Sequence, residues 1–239
     1  MNPVMSPVSP ETAFAMLIDA IPSCTVNDLP QSVLAYLQET RALSTETVEE
    51  ALRRRFLLLS KGEETIDYLL DHVDDDILQA AGFLSKKYFF HFKDMPLLFP
   101  FPDRKSVAFR DVRSCKHRLV GKQYSSYWYW KASSGNQVAI CEGAMDLLSL
   151  VDMGFTGHVI ALRSVASAYG DNAKEILNEI SSRFTEGDNE VLICLDNDEP
   201  GIAAQSQLSE MLKNAEIPYR CPFLPNIYKD INEALVQVA

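Results

Sequence analysis

Acidic side chains follow two apolar runs of the sequence at the points where each run ends. Val138–Cys141 is followed by Glu142, and Val191–Leu195 is followed by Asp196 and Asp198. In an open parallel sheet, functional groups collect where the strands end at their carboxyl edge, so we expect these three carboxylates to lie close together. Two unit charges about 4 Å apart repel by about 4 kcal/mol at an effective dielectric constant near 20, and a cation is expected to offset that repulsion.

Divalent metal chemistry suits these residue types. Carboxylate oxygens are hard ligands that fit Mg²⁺ or Mn²⁺ better than zinc, and such a metal, completed by water and phosphate, is what phosphoryl transfer uses. A calcium loop opening at Asp196 does not fit, because Pro200 and Gln207 fall where ligands are required. Capping of a helix near Gly201 is the alternative for the two aspartates. Glu142, placed in the same way after another strand, favours the metal site.

Strands and helices alternate along the chain from Gln137 onward, which is typical of a parallel α/β sheet, and these elements position the acids. The predicted strands are Val138–Cys141, His158–Leu162, Val191–Leu195 and an edge strand at Ile217–Phe223. Predicted helices are Ala144–Met153, one capped by Asp171, one with an apolar face from Ala204 to Leu212, and Asp230–Val238.

The chain before Gln137 shows two other patterns. Up to about Met95 the apolar spacing is helical, with predicted helices from Pro10, over Pro30–Leu43, from Ser44 or Thr45, and over Thr65–Ala81, which Gly82 ends. From Pro96 the period becomes two, which predicts short strands at Leu97–Phe101, Val107–Phe109 and Tyr124–Trp130. We therefore expect a helical lobe (1–95), a small β segment (96–136) and an α/β domain (137–239).

Charge is segregated along the sequence. The 22 Lys and Arg against 33 Asp and Glu give a net charge of −11, which does not describe a general nucleic-acid coat. Residues 101–131 nevertheless hold eight cations against two acids, a local balance of +6; the cations are Arg104, Lys105, Arg110, Arg113, Lys116, Arg118, Lys122 and Lys131. With the aromatic run Tyr124–Trp130 close behind, they predict a track for single-stranded nucleic acid. Packing of about half of those aromatic side chains in a core is the alternative.

Composition narrows the class of protein further. The chain has 239 residues, 47% of them hydrophobic, which predicts a globular fold with a sizeable core. The five cysteines include no pair spaced for a zinc ribbon. No apolar run approaches the roughly 20 residues that span a bilayer, and Met1–Pro10 lacks the features of a signal peptide. We expect a cytoplasmic protein without membrane partners.

Two acidic motifs and a closing segment carry a family resemblance. Glu142-Gly143 with Asp146 one helical turn on, and Asp196-x-Asp198-x-x-Gly201 after a later strand, are separated by 54 residues (196 minus 142). From about Gln137 to Leu235, with Tyr228–Glu233 as the closing segment, the sequence resembles the TOPRIM domain of DnaG-type bacterial primases, topoisomerases and some nucleases. The segments Tyr36–Val48 and Phe99–Arg110 resemble the lead-in of a primase core. Stand-alone TOPRIM proteins of phages, plasmids and conjugative elements are the more similar members.

The resemblance implies roles for particular side chains. Glu142 would be the general acid/base, Asp196 and Asp198 would bind metal, Asp146 would belong to the catalytic set, and Asp230 would be a further metal ligand. Lys229 would neutralise a phosphate. Structural alternatives exist for the last three: Asp146 as an acid that favours the helix dipole, Asp230 as the start of a capping box with Glu233, and Lys229 as a solvated side chain.

The resulting hypothesis is a TOPRIM nucleotidyltransferase of the primase type. It would join nucleotides from nucleoside triphosphates on single-stranded DNA with Mg²⁺ or Mn²⁺, in the replication of a phage or mobile element, alongside a replication or mobile-element protein. A metal-dependent TOPRIM nuclease needs the same carboxylates and is the first alternative. A non-catalytic TOPRIM protein that binds nucleic acid or a partner is the second.

Overall fold

A computed structural model describes residues 9–85, 90, 95–121, 125–134, 137–183, 190–222, 224–225 and 227–238. The chain forms two compact units. One comprises Met1–Tyr36 and Glu49–Ser125, and the other comprises Leu37–Val48 and Ser126–Ala239. This division differs from three consecutive segments, because a short piece of the expected helical lobe, residues 37–48, belongs to the C-terminal unit.

The N-terminal part of the chain is helical, as its apolar spacing predicts. Its helices are α1 (Pro10–Ala20), α2 (Gln31–Ala35), α3 (Thr45–Arg53), α4 (Glu63–His72) and α5 (Asp75–Ala81). Ser9 caps α1 by accepting a hydrogen bond from the Thr12 amide at 3.1 Å. Two expectations are corrected. The helix expected over Pro30–Leu43 changes to a π-helical turn at Tyr36–Thr40, and the helix expected over Thr65–Ala81 is broken at extended residues Val73 and Asp74.

The first unit also contains a four-stranded antiparallel sheet. Its strands are β1 (Leu58–Leu59), β2 (Leu97–Pro100), β3 (Val107–Arg110) and β4 (His117–Val120), paired in that order. Leu98, Val107, Phe109 and Val120 form one hydrophobic core with residues of α1, α4 and α5. Much of the cationic part of the sequence therefore lies on or beside a sheet that contributes these four side chains to a buried core.

The second unit contains the parallel sheet that the sequence predicts. Its strands are β5 (Tyr127–Trp130), β6 (Val138–Glu142), β7 (His158–Leu162), β8 (Val191–Cys194) and β9 (Tyr219–Arg220). The spatial order is β5-β7-β6-β8-β9, and only β5 runs antiparallel to its neighbour among these pairs. The aromatic strand thus belongs to this sheet rather than to the basic β segment.

Helices cover this sheet and confirm the α/β fold class. They are α6 (Gly143–Asp152), α7 (Gly170–Arg183), α8 (Glu199–Asn214) and α9 (Ile231–Val238). Alternate residues such as Ile140 and Ile193 share a core with α7 and α8, while their neighbours Ala139 and Cys141 are fully buried too. Both faces of β6 are therefore covered, as its uninterrupted apolar sequence requires. None of the helices in the described ranges combines the length and hydropathy needed to cross a membrane.

Candidate functional site

Glu142, Asp196 and Asp198, here called the acidic edge, follow two neighbouring strands. Strands β6 and β8 pair in parallel with Cys141 opposite Cys194, so Glu142 ends one strand and Asp196 lies two residues beyond the end of the other. The chain passes from β6 to β7 on one side and then crosses to β8 on the other. Ligands of open α/β sheets bind at such a switch point, beyond the carboxyl ends of the strands.

The surroundings of the acidic edge disfavour the ionised forms of Glu142 and Asp196. Burial, followed by the charges of Asp196 and Asp198, raises the pKa of Glu142 to about 7. Burial likewise raises the pKa of Asp196 to about 6, although Lys229 acts in the opposite direction. Among the described residues, no group donates a hydrogen bond to the buried Oε2 of Glu142. Asp196 and Asp198 are therefore close enough to oppose the ionisation of Glu142, as the strand arrangement predicts.

Lys229 places a positive charge directly beside two of these acids. Its Nζ lies 3.3 Å from Oδ2 of Asp196 and 3.5 Å from Oδ2 of Asp198. Asp196 is the main cause of the raised pKa of Lys229, with Asp198 contributing less. The lysine side chain remains 59% exposed, whereas that of Asp196 is 11% exposed. The ammonium group thus occupies the solvent side of the acidic edge.

Asn197 brings Lys229 to this place, and the sequence interpretation missed it. The Asn197 amide donates to the carbonyl of Lys229 at 2.7 Å. Its side-chain Nδ2 donates to the carbonyls of Leu224 and Tyr228 at 3.1 and 3.0 Å, with a longer contact of 3.4 Å to that of Pro225. The only sequence feature that could have indicated this role is the position of Asn197 between the candidate ligands Asp196 and Asp198. An amide side chain at that position binds metal weakly and is available to bind the neighbouring loop instead.

Two of the predicted acids also cap helices. Asp198 Oδ1 accepts from the Gly201 amide at 3.0 Å, and Asp230 Oδ1 accepts from the Glu233 amide at 2.7 Å. Gly201 is required there, since an added Cβ would lie 2.2 Å from the Asp196 carbonyl oxygen. The capping alternative is therefore correct for one oxygen of each side chain, and Oδ2 of Asp198 still faces Lys229.

Asp146 lies beneath the acidic edge rather than on it. The residue is 9% exposed, and burial raises its pKa well above the ordinary value, with Asp230 and Asp196 adding to the effect. It accepts the Asn232 amide at 3.2 Å. These contacts favour a role in holding the start of α9, and with it Lys229 and Asp230, against α6.

Asn232 extends that connection to the segment 37–48. Its Nδ2 donates to the Arg41 carbonyl and to Ser149 Oγ, both at 2.9 Å, while Arg41 Nη1 donates to its Oδ1 at 3.0 Å. The Ser44 amide donates to Asp152 of α6 at 2.8 Å. A buried amide with both ends bonded fixes its neighbours strongly. Only its place in the closing Tyr228–Glu233 segment pointed to this residue.

The acidic edge fits a divalent cation without forming a finished cage. Within the described ranges, no three His, Cys, Asp or Glu side chains are close enough to form a ready-made metal site. The donor chemistry nevertheless suits such an ion: Glu142 offers an oxygen that lacks a donor, and Asp196 and Asp198 each offer an oxygen that faces a positive charge. Oxygens of this type suit Mg²⁺ and Mn²⁺.

The predicted nucleic-acid contacts lie mainly on β3, β4 and their turns, here called the basic hairpin (residues 104–118). Exposed cations there are Arg104, Lys105, Arg113, Lys116 and Arg118. Arg110 is half-buried and donates to the Tyr36 hydroxyl and the Cys115 carbonyl, each at 3.3 Å, and Arg104 pairs with Asp19. Lys122 and Tyr124 lie outside the described residues.

The aromatic part of the expected track is mostly core. Tyr127, Trp128 and Trp130 are at most 8% exposed in β5, so stacking of bases on these three rings is not supported. Tyr129 is half-buried and its hydroxyl bonds to His158 Nδ1. Three of the four aromatic side chains described in this run are buried, which is more than the predicted half. The reason is that both faces of the edge strand β5 are covered.

A family comparison agrees with the acidic edge. Residues 139–235 match the Toprim-like family, a range that contains Glu142, Asp146, both aspartates and Asp230. The chain carries a Toprim-like domain. No curated protein matches the chain.

Two solved structures from bacteriophage T7 are similar to this protein. The primase fragment of the primase-helicase protein is 17% identical, with 84% of this chain and 68% of that chain covered at a TM-score of 0.48. A chain from the complex of the lagging-strand DNA polymerase with primase domains bound to an RNA/DNA hybrid and dTTP is 20% identical. There, 56% of this chain and 64% of that chain are covered, at a TM-score of 0.40.

Proposed function

We propose that this protein is a TOPRIM nucleotidyltransferase of the primase type, which joins nucleotides on a single-stranded DNA template. The observation that carries the proposal is the acidic edge: Glu142, with its pKa raised to about 7, faces Asp196 and Asp198 at the switch point of a Toprim-like domain. Replication of a phage or mobile element, in the cytoplasm and with a replication protein as partner, is the setting that the sequence predicts.

Divalent metal is the implied cofactor, since TOPRIM domains generally bind such ions. Asp196 and Asp198 would hold it with Glu142, and Asp230 lies near enough to influence the pKa of Asp196 and Glu142. When bound, Mg²⁺ or Mn²⁺ supplies positive charge that stabilises the developing charge of phosphoryl transfer. The rest of the chemistry falls to side chains of this chain.

Glu142 is suited to move a proton near neutral pH. A general base works best when its pKa lies close to the working pH, and burial beside two carboxylates brings Glu142 into that range. In the proposed reaction it accepts the proton of the attacking 3′ hydroxyl, whose oxygen bonds to the α-phosphorus of the nucleoside triphosphate while the bond to the β-phosphate breaks and pyrophosphate leaves. Asn197 and Asn232 act on the site indirectly, because they hold the loop before α9 and the start of that helix.

The basic hairpin provides the proposed contact with template or nucleotide phosphates. Arg113 and Lys116 are exposed in the turn between β3 and β4, and Arg118 is exposed on β4. Exposed cations of this kind bind phosphates without reading sequence. The proposal therefore predicts salt-sensitive binding with little sequence preference.

Primer synthesis tests the proposal. The protein is incubated with single-stranded DNA, labelled nucleoside triphosphates and Mg²⁺ or Mn²⁺, and extended products are measured. Asp196→Asn should abolish synthesis, whereas Asp171→Asn, which changes an exposed acid paired with Lys174, should leave it intact. Absence of product from the wild-type protein with either metal would contradict the proposal. Shortening of labelled DNA without nucleotides would identify a nuclease instead.

A further inference from the structure

We infer that Lys229 is a displaceable counterion: its ammonium group holds the acidic edge together before metal binds, and then transfers to a phosphate of the substrate. The inference rests on the metal site of the proposed function and extends it to the order of events at that site. It assigns Lys229 two alternating anionic partners.

The first support is the position of the charge. Nζ lies within 3.5 Å of carboxylate oxygens from both Asp196 and Asp198, the two side chains whose oxygens suit a divalent ion. One ammonium and one divalent cation cannot share these oxygens without strong mutual repulsion. Metal binding must therefore displace the ammonium group.

The second support is the contrast between a fixed backbone and an exposed side chain. The Lys229 carbonyl accepts from the Asn197 amide at 2.7 Å, and the Lys229 amide donates to Glu233 Oε2. The backbone is thus held from both sides, while the side chain is 59% exposed. A long, flexible side chain on a fixed backbone can exchange partners without moving the loop.

The third support is the chemistry of the second partner. A released ammonium group at this edge stays beside the place where substrate phosphates would bind to the metal. Lysine binds phosphate as a compact point charge. The lysine therefore competes with metal before catalysis and assists the substrate after metal has bound, so its removal should have opposite effects on the two ligands.

The test measures both ligands separately from activity. Wild-type protein and Lys229→Gln are freed of metal and titrated with Mn²⁺, with free Mn²⁺ followed by electron paramagnetic resonance. Inorganic triphosphate binding is then measured by calorimetry with Mn²⁺ saturating. Removing the competing charge should tighten Mn²⁺ binding about tenfold, after allowance for solvent screening. Triphosphate binding should weaken about tenfold through loss of a charge-assisted contact.

Two control variants are measured beside Lys229→Gln. Lys174→Gln removes the same charge from an exposed pair with Asp171, 2.8 Å apart, and should alter neither affinity. Lys229→Arg keeps the charge and should stay within about threefold of wild type for Mn²⁺. If Lys229→Gln does not fold, acylation of the wild-type protein provides the measurement: Mg²⁺ should increase labelling of Lys229 several-fold and leave Lys174 unchanged.

The possible outcomes distinguish failure of the inference from failure of the proposed function. Equal or weaker Mn²⁺ binding by folded Lys229→Gln, or labelling of Lys229 that Mg²⁺ does not increase, would overturn the inference while leaving the metal site intact. Unchanged triphosphate binding would overturn the transfer to phosphate. Mn²⁺ binding that Asp196→Asn does not weaken would overturn both. Opposite shifts of the two affinities in a protein without primer synthesis would support the inference and reject the proposed reaction.

Discussion

The acidic edge and the basic hairpin collect charge in different ways. Glu142 and Asp196 are 54 residues apart in the sequence (196 minus 142) and are brought together by neighbouring parallel strands. Both are half-buried, burial raises the pKa of each, and the charge of Asp196 raises that of Glu142 further. The cations of the hairpin are near neighbours in sequence, and most of them lie exposed in the turns beside β3 and β4 or on β4 itself. Acids that meet in a partly buried place have shifted pKa values, which suits them to catalysis. Cations that lie exposed beside one another keep their charge in solvent, which suits them to binding phosphates.

The largest expected effect comes from neutralising the acidic edge. Glu142→Gln keeps the shape of the side chain and removes its proton transfer, so primer synthesis should fall about 10²- to 10⁴-fold. The same change removes a carboxylate that opposes its neighbours, so the metal-free protein should be at least as stable at pH 8 as wild type. Thermal unfolding and the synthesis assay measure the two effects. A Glu142→Gln protein that retains activity would show that this edge is structural.

The pH dependence of stability gives the second prediction. Glu142 has an ordinary pKa of 4.5 that rises to about 7 in the fold, and Asp196 rises from 3.8 to about 6. A raised carboxyl pKa contributes stability that is complete below the ordinary value and is lost as the pH rises through the folded value. The metal-free protein should therefore lose about 2 kcal/mol of unfolding free energy between pH 5 and pH 8, after allowance for partial exposure.

Urea unfolding with a chelator present, at a series of pH values, measures this loss. Glu142→Gln should reduce the loss between pH 5 and pH 8 without abolishing it, because Asp196 and Asp146 keep their raised pKa values. Arg118→Gln on the basic hairpin should leave the curve unchanged in this range. A wild-type protein whose stability rises from pH 5 to pH 8 would contradict the electrostatic account of the acidic edge.

The sequence predicted the parallel sheet well, because its signals are local. His158–Leu162 is a strand with the predicted bounds, and Val138–Glu142 and Val191–Cys194 differ from their predictions by one residue each. A buried parallel strand must be apolar throughout, so its ends coincide with the first polar residues. The acids that follow were therefore placed correctly at one edge.

The contacts that hold the acidic edge in place could not be predicted in the same way. Asn197 and Asn232 bind backbone carbonyls of loops and of residues 37–48, and neither partner has a sequence pattern of its own. The break at Asp74 was missed because apolar spacing continues on both sides of it, and the two-residue strand β1 is too short to show a period. These features depend on tertiary contacts, which override local preference.

The smallest expected effect distinguishes cations within the basic hairpin. Arg118 is exposed on β4 opposite Phe109, whereas Arg104 already pairs with Asp19. Arg118→Gln should weaken binding of single-stranded DNA about two- to fivefold and reduce the slope of log K against log salt by about 0.7. Arg104→Gln should change the slope by less, because Asp19 already offsets that charge.

Fluorescence anisotropy with a labelled oligonucleotide at several salt concentrations measures both slopes. Equal slopes for the two variants would mean that only the net charge of the hairpin matters, and an unchanged slope for Arg118→Gln would remove this strand from the DNA contact. A difference between them would show that a cation binds DNA in proportion to the charge left unpaired by its neighbours. Because Arg104 and Arg118 belong to one hairpin and lose the same charge, that difference depends on the pairing with Asp19 rather than on the total charge of the protein.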